Sequence, residues 1–315
     1  MTKRKNYLVV CREAGGAELI SEYIISHREN SNLVSFVSGP AKRIFASKKI
    51  PHHIVRPNTG ADRILDASDG TYSLLVSVGW TSPFELRLLK KAKAAGVHSI
   101  VYIDHWINYR ERFGYPRTNW TSFLPNEIWV GDRFALKKAQ REFPSDIPIR
   151  LIRNDYFGKI RKSFKKYERH RGKPKRILFL SEPLSGNVNS FGDKSRVHCT
   201  EYDVLEDILK SIARQHKKPS VIIRFHPSES HNKYNEIIRQ YADVIRIFKS
   251  SGRSIVHDLA RSYLIIGMDS VALMIAKLCG KNVISYIPDR SYACTIPDPR
   301  IKKIKSFTVL QNLLT

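Results

Sequence analysis

Ile222-Ile223-Arg224-Phe225-His226-Pro227-Ser228-Glu229 and Ile265-Ile266-Gly267-Met268-Asp269-Ser270, the second continuing through Val271 to Leu278, decide the fold of this chain. Each opens as a short apolar, β-branched run, the signature of a parallel strand buried on both faces. Each turns polar where the strand would emerge at its carboxyl end, the edge at which open α/β sheets bind ligands. The second run enters an apolar helical segment directly, with Asp269 or Ser270 available as N-cap. A helix start offers unpaired N–H groups and partial positive charge, and so suits a phosphate. His226 can donate to a phosphate oxygen or pass a proton, and Pro227 fixes the turn. A His-Pro pair is also an ordinary turn, and a Ser or Asp at a helix start is also simply a cap. What raises the pair above that reading is their equivalent position, at the ends of strands that read as neighbours.

Working outward, alternation of strand and helix fills the chain. Before the decisive stretch, Arg176 to Leu180 is a strand followed by a long polar segment, Ser181 to Thr200, and a helix across Tyr202–Gln215. After His226 come a helix over Tyr234–Tyr241, a strand Val244–Phe248 and a short helix Ile255–Ala260. Val283–Tyr286 is the last strand, and Phe307–Leu314 closes the chain as a helix. The amino-terminal half repeats the architecture. Tyr7–Cys11 is its first strand, with Gly15 and Gly16 placed between it and a helix from about Ala17 to Ser26. Further strands fall at Leu33–Val37, His53–Arg56, Leu74–Val78, Ser99–Ile103, Glu127–Val130 and Ile149–Arg153. Asp132 caps a helix to Arg141, and another helix runs from Pro83 to Ala95. Such alternation predicts parallel sheets with right-handed crossovers. The expected fold class is α/β, two Rossmann-like parallel-sheet domains facing a cleft. The first covers 1–157, the second 177–315. Between them, 158–176 holds ten basic residues against one acidic one and reads as a basic linker.

The 315 residues suit two domains. The formal charge is +25, from 54 Lys and Arg against 29 Asp and Glu. That favours a polyanionic partner: an anionic membrane surface, an acidic glycan or nucleic acid. Nucleic acid is the second choice, because there is no zinc-finger spacing and no arginine-rich recognition helix. Cys11, Cys199, Cys279 and Cys294 have no paired spacing, and Cys11 and Cys279, in apolar surroundings, read as reduced core residues. No metal-ligand cluster is visible. Tyr7–Cys11 is too short for a secretion signal, and no run approaches the roughly 18 apolar residues of a membrane span. A cytoplasmic protein is expected, peripheral on the inner face of the membrane where anionic lipid attracts its basic surface.

Two such halves, with a glycine pair after the first strand and a phosphate-suited helix in the second, resemble the GT-B glycosyltransferases. Arg224-Phe225-His226-Pro227 together with Asp269-Ser270 is similar to the His-Pro and Ser/Thr motifs of bacterial sialyltransferases, Kdo transferases and polyol-phosphate polymerases. The resemblance implies that His226 and Ser270 hold the phosphate of a cytidine-linked donor and that Glu229 meets its ribose. The acidic motif of the sialyltransferases has no recognisable counterpart in the first half.

Transfer chemistry sets the remaining expectations. Charge developing on the leaving phosphate needs N–H or cationic stabilisation, from His226, Arg224 and the Ser270 helix start, with Pro227, Asp269 and Ser181 at the same edge. This requires neither metal nor organic cofactor. An acceptor hydroxyl needs a general base. Asp104, followed by His105 at a strand end, is the first candidate, and Glu13 and Glu18 beside Gly15 and Gly16 are the reserve. Asp104 is equally suited to pair with Arg110 or Arg112. Trp80, Trp106 and Tyr109 either stack on sugar faces or pack. The expected activity is an inverting, metal-independent glycosyltransferase of bacterial surface polysaccharide synthesis. Its partners would be a nucleotide-sugar donor and a glycan or lipid-linked acceptor. Polyol-phosphate transfer, a nucleotide-sugar hydrolase or epimerase on the same fold, and a non-catalytic polyanion binder are the alternatives.

Overall fold

The computed structural model describes residues 4–56, 60–66, 71–79, 83–168, 176–183, 199–252 and 254–314. The chain divides into two compact units, Met1–Tyr156 and Phe157–Thr315.

In the first unit the elements follow as β1 (Lys5–Cys11), α1 (Ala14–His27), β2 (Ser31–Val37), α2 (Ala41–Ser47), β3 (His53–Ile54) and α3 (Ala61–Leu65). Then come β4 (Ser73–Val76), α4 (Phe84–Ala94), β5 (Ser99–Ile103), β6 (Glu127–Val130), α5 (Arg133–Glu142) and β7 (Ile149–Leu151). The seven strands lie in the order β3-β2-β1-β4-β5-β6-β7, every neighbouring pair parallel. Both faces of the sheet are covered, which is why the strands read as continuous apolar runs rather than alternating ones. Tyr7, Val9 and Cys11 join Ile20, Tyr23 and Phe45 in one core cluster, while Leu8 and Val10 are buried on the opposite face.

The helix α6 (Asp155–Glu168) crosses the unit boundary and takes up much of the segment that reads as a linker. Ile160 and Phe164, one helical turn apart, are buried, while Arg161, Lys162, Lys165 and Lys166 are exposed. A two-residue apolar seam was enough to anchor a helix whose charge dominates its composition. The rest of that segment, 169–175, lies outside the described residues.

The second unit continues with β8 (Arg176–Leu180), α7 (Glu201–Ala213), β9 (Ser220–Arg224), α8 (Asn235–Tyr241), β10 (Ile247–Lys249) and α9 (Ile255–Arg261). It ends with β11 (Ser262–Gly267), α10 (Val271–Leu278), β12 (Asn282–Tyr286), β13 (Lys302–Ile304) and α11 (Phe307–Leu314). Its parallel sheet has the order β10-β9-β8-β11-β12-β13. Counted within the unit this is 3-2-1-4-5-6, the Rossmann order, and the first unit has the same arrangement plus one strand. Ile177, Leu178, Phe179, Val221, Ile223 and Ile265 are fully buried. Each such side chain contributes about 1.5–3 kcal/mol.

Three sequence expectations need correction here. Gly15 and Gly16 are not a loop between strand and helix but lie in the first turn of α1. The strand expected at Val244–Phe248 is β10, shifted to Ile247–Lys249, because Val244 belongs to the turn after α8 and donates its N–H to the Tyr241 carbonyl at 3.0 Å. Strands β9 and β11 are not neighbours, since β8 lies between them. Among the described residues no helix is long and apolar enough to cross a membrane.

The glycines of α1 have a packing reason. A β-carbon on Gly15 would collide with the Asp104 carboxylate, and one on Gly16 with the Ser77 side chain. The first turn of α1 therefore sits directly on the carboxyl ends of β4 and β5. Gly16→Ala is expected to lower stability by about 1–3 kcal/mol through overpacking. Ser77→Gly in the same chain should return most of it, as a double-mutant cycle by urea denaturation would measure. Additive losses in the cycle would refute this contact.

Candidate functional site

In a Rossmann sheet the ligand crevice opens where strand order reverses, here between β8 and β11 in the second unit. Ser181 and Glu182 leave β8 at that edge, and Met268, Asp269 and Ser270 leave β11. The two strand ends are joined directly, because the Asp269 N–H donates to Glu182 Oε2 at 2.9 Å.

Ser270 is the N-cap of α10, in extended backbone, with its Oγ accepting the Ala272 N–H at 3.3 Å. Of the two cap candidates the structure chooses Ser270. Asp269 turns inward and is buried. It accepts hydrogen bonds from the Tyr292 hydroxyl at 2.9 Å and the Thr295 N–H at 2.7 Å, so its carboxylate ties β11 to the chain after β12.

Glu182 was not singled out from the sequence, although it stands in the position that drew attention to His226, just past an apolar run. Its carboxyl is pushed up to about 7, chiefly by burial. The Asp269 N–H pulls it down, while the negative charges of Asp269, Glu229 and Glu201 push it up. It is a carboxyl poised to exchange a proton near neutrality at the sheet's switch point.

One strand away, β9 delivers His226. Its Nδ1 accepts the Ser228 N–H at 3.3 Å and lies 2.7 Å from the Ser228 Oγ. A backbone N–H can only donate, so the neutral ring carries its proton on Nε2. Burial lowers the imidazole below its usual range, with the Glu229 charge raising it and Lys233 lowering it. His226 is therefore a neutral donor through Nε2 at pH 7, not an imidazolium. Pro227 and Ser228 are exposed on the turn, which is closed by the Glu229 N–H donating to the His226 carbonyl at 2.9 Å.

Two residues expected to face a ligand are engaged within the protein. The Arg224 guanidinium meets Asp258 through Nη1 at 2.7 Å and Ser250 Oγ at 3.3 Å, supplying the counter-charge that buried Asp258 requires. The Glu229 side chain is only 3% exposed, and both of its oxygens are occupied. Ser181 is buried against it, with Oγ 2.5 Å from the Tyr234 hydroxyl. The polar segment after Pro183, residues 184–198, lies outside the described residues.

In the first unit, Asp104 follows β5 with its side chain 18% exposed. Its Oδ1 lies 2.9 Å from Arg112 Nη1, which also donates to the Val78 carbonyl at 2.7 Å. Of the two arginines weighed, Arg112 is the partner, and Arg110 pairs with Glu142 instead. Oδ2 faces Gly15 at the head of α1, where the helix end favours a negative charge. Glu13 stands at the N-cap position of α1 with its side chain packed over Gly79, at the same edge. Glu18 sits further along α1 and pairs with Lys48 of the α2 C-cap at 2.5 Å. His105 accepts the Trp106 N–H through Nδ1 at 2.9 Å.

Of the two roles weighed for the aromatic residues, two of the three pack. Trp106 is buried and donates Nε1–H to Asp132 at 2.9 Å, and Tyr109 is buried and stacked on Phe143. Both hold β5 to α5 and its surroundings. Trp80 lies outside the described residues. All four cysteines are free and buried. Burial raises the thiols of Cys199, Cys279 and Cys294 to about 11, which removes them as nucleophiles near neutral pH. Among the described residues no group of three or more His, Cys, Asp or Glu side chains is placed to hold a metal ion.

No protein-family model matches the chain, and no curated protein sequence does. Solved structures do. The chain is similar to a UDP-GlcNAc 2-epimerase from Neisseria meningitidis bound to UDP-GlcNAc, at 13% identity over 98% of this chain and 90% of that one, with a TM-score of 0.65. It is similar to Anabaena Alr3699/HepE in complex with UDP-glucose, at 11% identity over 97% and 88% of the two chains, with a TM-score of 0.62. Acinetobacter baumannii MurG is 12% identical over 98% and 89%, with a TM-score of 0.51. At these identities the likeness is one of fold: two Rossmann-like α/β domains of the GT-B type.

Proposed function

We propose that this chain is an enzyme acting on a nucleotide-activated sugar, and within that class an inverting, metal-independent glycosyltransferase of bacterial surface polysaccharide synthesis. The observation that carries the reading is the carboxyl edge of the second sheet. There the Rossmann order sets Glu182 and the Ser270-capped start of α10 at the switch point, with His226 one strand away. That edge suits the leaving phosphate of a nucleotide sugar. As the glycosidic C–O bond to phosphate breaks, negative charge grows on the phosphate oxygens. The N–H groups opening α10 and the Nε2–H of His226 are suited to meet it. Asp104 is the proposed base, taking the acceptor hydroxyl's proton as the oxygen attacks the anomeric carbon from the opposite face. The exposed basic face of α6 supports an anionic acceptor or an anionic membrane as neighbour.

Two lines of support differ on the base of the donor. The His-Pro resemblance favours cytidine, whereas the structural neighbours are complexes with UDP-glucose and UDP-GlcNAc. A second reading, conversion of the donor alone by an epimerase, is favoured by Glu182, whose carboxyl near 7 suits proton transfer on the donor side.

A thermal-shift series with CMP, CDP, UMP, UDP, GDP and ADP tests the class. A nucleotide at 100 times its dissociation constant should stabilise the protein by about 2.7 kcal/mol. The expected result is a response confined to pyrimidine nucleotides and lost in His226→Ala. No response to any nucleotide would overturn the reading. Turnover of the donor without acceptor, at the rate seen with acceptor, would replace the transferase with the epimerase or hydrolase.

A further inference from the structure

The turn bearing His226 is held by a buried ionic assembly that no step of the chemistry above uses. Glu229 Oε2 accepts the His226 N–H at 2.8 Å, and Oε1 accepts the Ser181 hydroxyl at 2.9 Å. Lys233, four residues on in the turn before α8, reaches back to Glu229 Oε1 at 2.6 Å and also pairs with Glu201. Glu201 opens α7 and is fully buried, and Lys233 is nearly so. The rings of Tyr202 and Tyr234 lie 5.0 and 5.4 Å from the ammonium. The end of β8 and the chain after β9 thus meet on the Glu229 carboxylate, the start of α7 joins them through Lys233, and the second Glu229 oxygen grips the His226 backbone.

Burying two carboxylates and an ammonium is not an economical way to stabilise a fold, since apolar side chains of the same volume usually do as well or better. Such a network does fix geometry. We propose that Glu229 and Lys233 are positioning residues for His226: the pair sets the height and direction of the imidazole and does not itself touch the nucleotide. This rests on the reading that His226 meets the donor phosphate. It replaces the expectation that Glu229 meets a ribose, for which neither of its oxygens is open.

The groups facing His226 are Ser228, Glu229 and Lys233, with Glu201 and Ser181 behind them. Glu229 raises the imidazole and Lys233 lowers it, so the two charges make opposite demands. The experiment is an NMR titration of the His226 ring in the ligand-free chain, with hydrogen exchange at the His226 amide and the affinities for CMP and UDP. Glu229→Gln keeps an oxygen for the amide but loses the charge, and is expected to titrate below the wild type. A turn that merely loosened would titrate higher, toward an exposed imidazole. Glu229→Ala leaves Lys233 paired with Glu201, so no buried charge is stranded. It should expose the His226 amide to exchange and weaken binding of the nucleotide that the wild type prefers by about tenfold. Glu229→Gln should restore most of that affinity. An upward move of the His226 titration in Glu229→Gln, or unchanged affinity in Glu229→Ala, overturns the proposal. If the wild type binds neither CMP nor UDP, the functional reading fails, while the titration and exchange still judge the clamp.

Discussion

Asp104→Asn is expected to lower turnover by about 100-fold to 10,000-fold, the range for loss of a general base. Nucleotide affinity should stay within a few-fold of the wild type. Asparagine keeps the shape of the side chain and an oxygen for Arg112 Nη1, which in the wild type is 2.9 Å from Oδ1. Arg112 also retains its bond to the Val78 carbonyl. A loss of turnover without a loss of folding would therefore assign chemistry, and not architecture, to the carboxylate. The measurement is kcat and KM with the nucleotide sugar selected by the thermal-shift series, alongside a melting curve. Undiminished kcat would reduce Asp104 to the partner of Arg112. A fall in Glu13→Gln instead would move the base to the head of α1.

Glu182→Gln should change the pH dependence of stability more than any other single replacement at the switch point. The carboxyl is raised from 4.5 to about 7 in the folded chain, mainly by burial. Below about 4.5 it is protonated folded or unfolded, and contributes no slope. Between about 4.5 and 7 the unfolded chain releases the proton while the folded chain keeps it, so stability falls as pH rises. Above about 7 the loss is complete, on the order of 3 kcal/mol. Glutamine keeps an acceptor for the Asp269 N–H without the charge. Urea denaturation at pH 5 and pH 8 should show the fall in the wild type and its removal in the variant, which becomes the more stable protein at pH 8. An identical pH slope in both would refute the near-neutral carboxyl. The same physics couples ligand to proton, since a phosphate at this edge adds negative charge beside Glu182 and favours its protonated form.

Much of the architecture is legible in the sequence because a parallel sheet buried on both faces forces continuous apolar strands, and its crossovers force helices between them. The helix Val271–Leu278 falls where its apolar run and Ser270 cap place it. Asp132 and Phe307–Leu314 are equally plain. Composition misleads at α6, where seven charged residues in fourteen hide the two buried apolar residues that anchor the helix. It also hides the short pieces α3 and β13, each too brief to show a period.

By itself the sequence determines that polar residues gather at strand ends, because the hydrophobic run must stop where the sheet meets water. Which of those residues remain open to a ligand is a tertiary decision. Strand order sets β8 between β9 and β11, and so puts Glu182 beside Asp269. Contacts between residues far apart in the chain then turn Asp269 inward, commit Arg224 to Asp258 and tie Glu229 to Ser181. The reason is that a buried charge must find a partner wherever the fold brings one, and periodicity along the chain carries no record of who that partner is.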